Sequence, residues 1–128
     1  MTTKQEQGLE VLEQLLGSET FSRREARIAS EKFGAEFSRI SQANVFESLW
    51  TRPGLNARDR SLLTLGILIA LRAESELAIH LPGAVRNGLT VQEIEEAIYH
   101  STAYAGFPAA NLAKFVGIRV LSEAGMLD

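Results

Sequence analysis

A chain of 128 residues with 45% hydrophobic and 23% charged residues has the size and balance of one globular domain, read here as a single domain over residues 1–128. Its net charge of −3, with no block of Lys and Arg, disfavours nucleic-acid binding, because phosphate contacts need clustered cations. It contains no cysteine, which excludes disulfides, thiol catalysis and thiolate metal sites in this chain.

The first ten residues are polar and carry three charges, unlike the charged-then-apolar order of a signal peptide. Leu9, Leu12, Leu15 and Leu16 then form one apolar stripe at helical spacing, closed by Gly17. This amphipathic helix, within residues 1–20, is suited to packing on a neighbouring subunit. Ser22 with Glu25 predicts a capping box opening a second helix, which runs through Ile28, Phe33 and Phe37 towards Ser41. A short helical piece at residues 45–50 precedes a turn at Arg52-Pro53-Gly54.

Asn56 is placed to cap the next helix. Its interior, with Leu62, Leu63, Leu65, Ile67, Leu68, Ile69 and Leu71, is apolar nearly all round, which predicts a central, buried helix. The run at 62–71 is too short to span a bilayer, so neither membrane spans nor a membrane partner is expected, and a cytoplasmic location is. Ser75 is read as the cap of a helix that ends at Asn87-Gly88. Thr90 to Glu93 forms a capping box for a helix with Ile94, Ala97, Ile98 and Ser101 on one face, ended by Gly106. Pro108 opens the last helix, where its missing N–H would be unpaired anyway, and Gly125 closes it. Strand signals are absent, so the expected fold is an all-α bundle of about six helices.

The chain has two histidines, His80 and His100. Glu76 and His80 are four apart, so on a helix they stack on one face and can touch. A carboxylate beside an imidazole fixes its tautomer and raises its pKa, which makes His80 a candidate proton donor near neutral pH. The same spacing fits a salt-bridged histidine on a helix surface. His100 lies beside acidic residues and reads as structural. The two histidines do not have metal-ligand spacing, and no metal site is expected. Gly83, Gly88 and Gly106 are isolated helix ends or bends that make no phosphate loop. Ser61 and Ser75 lack the sharp turn of a nucleophilic serine.

A longer pattern runs from Trp50-Thr51-Arg52-Pro53-Gly54-Leu55 through Arg60-Ser61-Leu62-Leu63-Thr64-Leu65, Glu76-Leu77 and His80. It continues with Arg86-Asn87-Gly88-Leu89-Thr90, Glu93-Ile94, Glu96 and Tyr104-Ala105-Gly106-Phe107-Pro108-Ala109-Ala110. In order and spacing this series resembles the carboxymuconolactone decarboxylase family. The resemblance implies an all-helical, AhpD-like fold that assembles as a trimer or hexamer, with sites near subunit contacts. One family branch uses a Cys-x-x-Cys-x-x-x-His motif for peroxide chemistry. This chain has Ala73 and Glu76 at the two cysteine positions, so thiol peroxidase activity is excluded. The other, cysteine-free branch contains the 4-carboxymuconolactone decarboxylases, with Glu and His at the positions of Glu76 and His80.

The chain departs from that branch in three places. The N-terminal Gly-x-x-His-Val stretch is Gly17-Ser18-Glu19-Thr20-Phe21 here, a Trp-Gly pair is replaced by Phe46-Glu47, and Pro82-Gly83 follows His80. Proline inside a helix removes a hydrogen bond and bends the axis.

The family reaction removes CO2 from a carboxylated butenolide that bears a second carboxylate. The remaining electrons flow into the unsaturated lactone, so no cofactor is expected. The implied partner is a small carboxylated substrate. Arg52 and Arg60 are the implied carboxylate anchors, since a guanidinium fork matches a carboxylate bidentately. Arg60 alternatively pairs with Asp59 or a helix-end carbonyl, and Arg86 is better placed to serve a helix dipole. His80 is the implied proton donor and Glu76 its orienter. Trp50, Tyr104 and Phe107 either line an apolar pocket wall or pack in the core. Two functions follow. One is a cofactor-free decarboxylase, or related lyase or isomerase, of a small carboxylated lactone or enolisable acid. The other is a non-catalytic helical oligomer that binds a small acidic ligand or a partner protein.

Overall fold

The computed structural model describes residues 2–128; Met1 lies outside the described residues. Within them the chain forms seven α-helices and one π-helical segment, and no strand. They fall into two compact units, one ending at Asn56 and the other spanning Ala57–Asp128. No helix among the described residues is long and apolar enough to cross a membrane.

The N-terminal unit opens with α1, Lys4–Leu16, whose first turn is capped by the Thr3 hydroxyl accepting from the Glu6 N–H. Gly17, at φ 81°, ends it as expected. Leu12 and Leu15 are the buried members of its apolar stripe. Gly8 is buried too, for a different reason. A Cβ built there would meet Glu47 Cγ at 2.6 Å and the Glu47 Cα and N at 3.1 Å, so glycine lets α1 approach the π-helical segment closely.

The expected single helix from Ser22 to Ser41 is instead two. α2, Ser18–Ala29, starts directly after Gly17, which places Ser22 inside it rather than at its cap. The chain then reverses through Glu31 and Gly34, both in the left-handed region at φ 53° and 91°. α3, Ala35–Ser41, follows and runs on into the π-helical segment Gln42–Glu47. Phe33, read as part of one continuous helix, lies in that reversal and is 96% exposed. Trp50 comes after the π-helical segment, in a turn, with its ring stacked on Phe46 at 6.3 Å.

The second unit contains α4, Ala57–Leu71, α5, Glu74–Arg86, α6, Val91–Ala105, and α7, Phe107–Glu123. α5 packs on α4 and α7, and α6 also packs on both. Leu65, Ile69, Leu77, Leu81, Ile94, Ala113, Val116 and Leu121 form the core. The small residues Ala109, Ala110, Ala113 and Gly117 make the buried face of α7 narrow, which suits close helix packing. The Thr90 capping box is present in full. The Thr90 hydroxyl accepts from the Glu93 N–H, and the Glu93 carboxylate accepts from the Thr90 N–H.

Ser75 and α4 both depart from expectation. α5 begins at Glu74 with Ala73 at its cap, so Ser75 lies inside the helix. α4 is not buried all round: only Ser61, Leu65 and Ile69, four residues apart, are buried. Leu62, Leu63, Ile67 and Leu71 form a second apolar face that this unit leaves exposed. Pro82 does not end α5, which continues to Arg86 with Pro82 buried inside it.

Candidate active site

The short link between α4 and α5 sets the geometry of the best candidate pair. Arg72 takes φ 53°, and the Ala73 N–H returns to the Leu68 carbonyl at 3.0 Å, so the chain turns tightly into α5. Glu76 lies in the first turn of α5 and His80 one turn further on. Their side chains do meet, with His80 Nε2 3.8 Å from Glu76 Oε2. That separation is longer than a hydrogen bond, so Glu76 acts on the ring as a charge and does not fix its tautomer through this contact.

The ring itself is largely enclosed. The His80 side chain is 11% exposed and its Nδ1 is sealed from solvent, while the Glu76 side chain is 58% exposed. Burial disfavours the charged imidazolium and pushes the His80 pKa below its ordinary value of 6.5. The Glu76 charge pulls the other way and is the smaller effect. The expectation of a raised pKa is therefore reversed: at neutral pH the resting His80 is a neutral imidazole.

The other sequence candidates are dispersed. Arg60 is half-buried in the N-terminal part of α4. Tyr104 and Phe107 flank Gly106 at the junction of α6 and α7. Tyr104 is 83% exposed, its ring 5.1 Å from that of His100, and Phe107 is also exposed, so neither is a core residue of this unit. Trp50 and Arg52 belong to the N-terminal unit, Trp50 half-buried and Arg52 exposed. Arg86 lies in the last turn of α5, as a residue serving the helix dipole would.

Sequence reasoning missed a groove of about 850 Å3 between α4 and α6. α4 contributes Leu62, Leu63, Gly66, Ile67 and Ala70, and α6 contributes Glu96, Ala97, His100 and Ser101. His100 is therefore a groove residue. At the rim Arg58 bonds Glu93 and reaches Asp59 at 3.2 Å. The Glu93 carboxyl is held below the usual range, first by the Thr90 backbone N–H and then by Arg58. None of His80, Glu76, Arg60, Tyr104 and Phe107 lines this groove. The available signal was spacing: 93, 96, 97, 100 and 101 share one face of α6, opposite the second apolar face of α4. No group of three or more His, Cys, Asp or Glu side chains able to hold a metal occurs among the described residues.

Residues 35–116, about two thirds of the chain, match the carboxymuconolactone decarboxylase family. The chain belongs to that family. The 4-carboxymuconolactone decarboxylase of Acinetobacter baylyi is 36% identical over 120 residues, covering 94% of this chain and 88% of its own length. The nitrosuccinic acid decarboxylase of Metarhizium robertsii is 36% identical over 122 residues, covering 92% and 81% respectively. An uncharacterised 15.0 kDa protein of Paracoccus denitrificans is 32% identical over 80 residues, covering 61% and 60%. The family segment contains Trp50, Arg52, Arg60, Glu76, His80, Tyr104 and Phe107, whereas α1 and α2 precede it.

Proposed function

We propose that this family member is a decarboxylase of a small acid that carries two carboxylates and its own electron sink. The enclosed His80 with Glu76 beside it is the observation that carries this reading. Two relatives, each 36% identical over more than nine tenths of this chain and each named a decarboxylase, support it. The substrates in their names share a logic. In each, the carbon that loses CO2 can be one bonded to a group that accepts the electron pair as the bond breaks, an unsaturated lactone in one and a nitro group in the other. Breaking the C–C bond sends the pair into that group and releases CO2; a proton then adds to carbon. No external oxidant or reductant enters the balance.

The chain's own residues divide the work. Arg60, on a family motif in the same unit as His80, is the proposed carboxylate anchor, acting through the bidentate geometry of guanidinium. Tyr104 and Phe107, in that same unit, are the proposed apolar wall. His80 is the proposed proton donor. Its resting state is neutral, so it must first load a proton. An incoming dianion supplies the reason, because nearby negative charge favours the imidazolium and offsets the burial. Substrate binding thus draws a proton from solvent onto the ring, and the carbanion takes that proton, which leaves the ring neutral again. The exposed apolar face of α4 fits self-assembly, and a homotrimer or homohexamer is the proposed form.

The test is CO2 release by the purified protein from 4-carboxymuconolactone and from nitrosuccinate. Turnover of either supports the reading and selects the electron sink. A second reading, ligand or partner binding without catalysis, rests on the groove between α4 and α6, which His80 and Glu76 do not line. A folded protein that turns over neither acid favours it.

A further inference from the structure

The N-terminal unit holds a cationic cleft that the decarboxylation does not use. Its volume is about 280 Å3, and its lining includes Thr20, Arg23, Arg24 and Arg27 from α2 and Gly34 and Ser38 from the start of α3. Three arginines line it, no carboxylate does, and the chain as a whole is negative. Surface arginines are usually dispersed or paired, so this concentration calls for a partner charge.

The three arginines differ in what holds them. Arg24 is a building element: its side chain is 17% exposed, and it donates to Glu25 at 2.7 Å, to Gln42 at 3.2 Å and to the Ser38 carbonyl at 3.1 Å. Those bonds tie α2 to α3 and to the π-helical segment, and they fix the cleft. Arg23 is held weakly, 3.4 Å from the Thr20 hydroxyl and 3.8 Å from Glu19. Arg27 makes a single 3.4 Å contact to the Phe33 carbonyl and pairs with no carboxylate among the described residues. The acids nearby are engaged elsewhere, with Glu31 and Glu36 both bonded to Arg39. Arg23 and Arg27 are four apart on one helix, so their forks can close on one ligand from the same side. Gly34 leaves open space where a side chain would project.

We infer that this cleft binds a small, multiply charged oxyanion, a phosphate group or a dicarboxylate, through Arg23 and Arg27 on a frame set by Arg24. All three arginines precede the segment matched to the family, and none is among the residues proposed for decarboxylation. The site therefore stands apart from that reading.

The test is the thermal midpoint of the full chain titrated with inorganic phosphate or succinate, with sodium chloride at equal ionic strength as the reference. Either oxyanion, but not chloride, is expected to raise the midpoint saturably, as ligands of the native state do. Half-saturation should weaken about tenfold in Arg23→Gln and in Arg27→Gln, each losing charge-assisted bonds. Both variants keep good helix formers, and matching circular dichroism would establish their folding. Persistence of the shift in Arg60→Gln, which removes the proposed carboxylate anchor, separates the cleft from the proposed active site. Phosphate alone or succinate alone shifting the midpoint names the ligand class. Shifts no larger than those of chloride, or half-saturation unchanged in both variants, would overturn the assignment.

Discussion

Glu76 and His80 stand one turn apart on α5 with carboxylate and imidazole 3.8 Å apart, and burial, not the carboxylate, decides the charge on the ring. The consequence for stability has a definite sign. With the folded pKa below 6.5, the unfolded chain binds the His80 proton more readily than the native one. Stability is then unaffected by this group well above 6.5, falls as pH drops through it, and levels off below the folded pKa. Urea unfolding at about pH 7.5 and about pH 5.5 measures this. The loss at the lower pH should shrink in His80→Gln and grow in Glu76→Gln, because Glu76 opposes the depression. An unchanged pH dependence in His80→Gln would contradict it.

Kinetics carry the second consequence. For a protonated donor, kcat/KM follows the free enzyme and kcat the complex. With His80 as donor, kcat/KM should rise as pH falls below 6.5, while kcat should hold to higher pH because the bound dianion raises the pKa. Profiles of both parameters test this. Coincident apparent pKa values, or a kcat/KM that falls on acidification through this range, would contradict it.

Gly8 makes a packing prediction in the N-terminal unit. Alanine is the better helix former by about 1 kcal/mol, so Gly8→Ala on an open helix face would stabilise. Here its methyl meets Glu47 Cγ at 2.6 Å and Glu47 backbone at 3.1 Å, atoms that do not swing away as a side-chain tip would. Overpacking of this kind costs about 1–3 kcal/mol, so the net effect should be destabilising. A thermal midpoint equal to or above wild type would show that the approach is looser than the structure has it.

The second apolar face of α4 predicts assembly. Leu62, Leu63, Ile67 and Leu71 are exposed in the single chain, an expensive arrangement unless another surface covers them. Sedimentation of the wild type should give an oligomer, and Leu63→Glu should shift it towards monomer. Wild type that sediments as a monomer would refute self-association of this face.

Much of the fold was legible because its signals are local. The Thr90 capping box, Gly17, Gly88, Gly106 and Gly125 mark helix ends where the structure has them, since caps and left-handed turns are set by a few neighbouring atoms. The break between α2 and α3 was hidden because Phe33 and Phe37 continue a helical period while Glu31 and Gly34 reverse the chain. That decision lies in tertiary packing, where Arg24 bridges α2 to α3. α4 was misread for a related reason: composition cannot separate an apolar face that is buried in the chain from one that is left exposed.

For the candidate site, the meeting of Glu76 and His80 was readable from i, i+4 spacing. The direction of the His80 pKa was not, because desolvation depends on what α5 packs against. The groove residues Arg58, Glu93 and His100 were missed because they come together only when α4 and α6 are placed side by side.

The most direct test of the central claim is CO2 release from 4-carboxymuconolactone, or nitrosuccinate if that is the better substrate, by wild type and His80→Ala of equal folding and assembly. Wild type should turn over, and the variant should lose about 10²–10⁴ in kcat, the usual contribution of a general acid. Equal kcat in the two proteins would contradict the role assigned to His80.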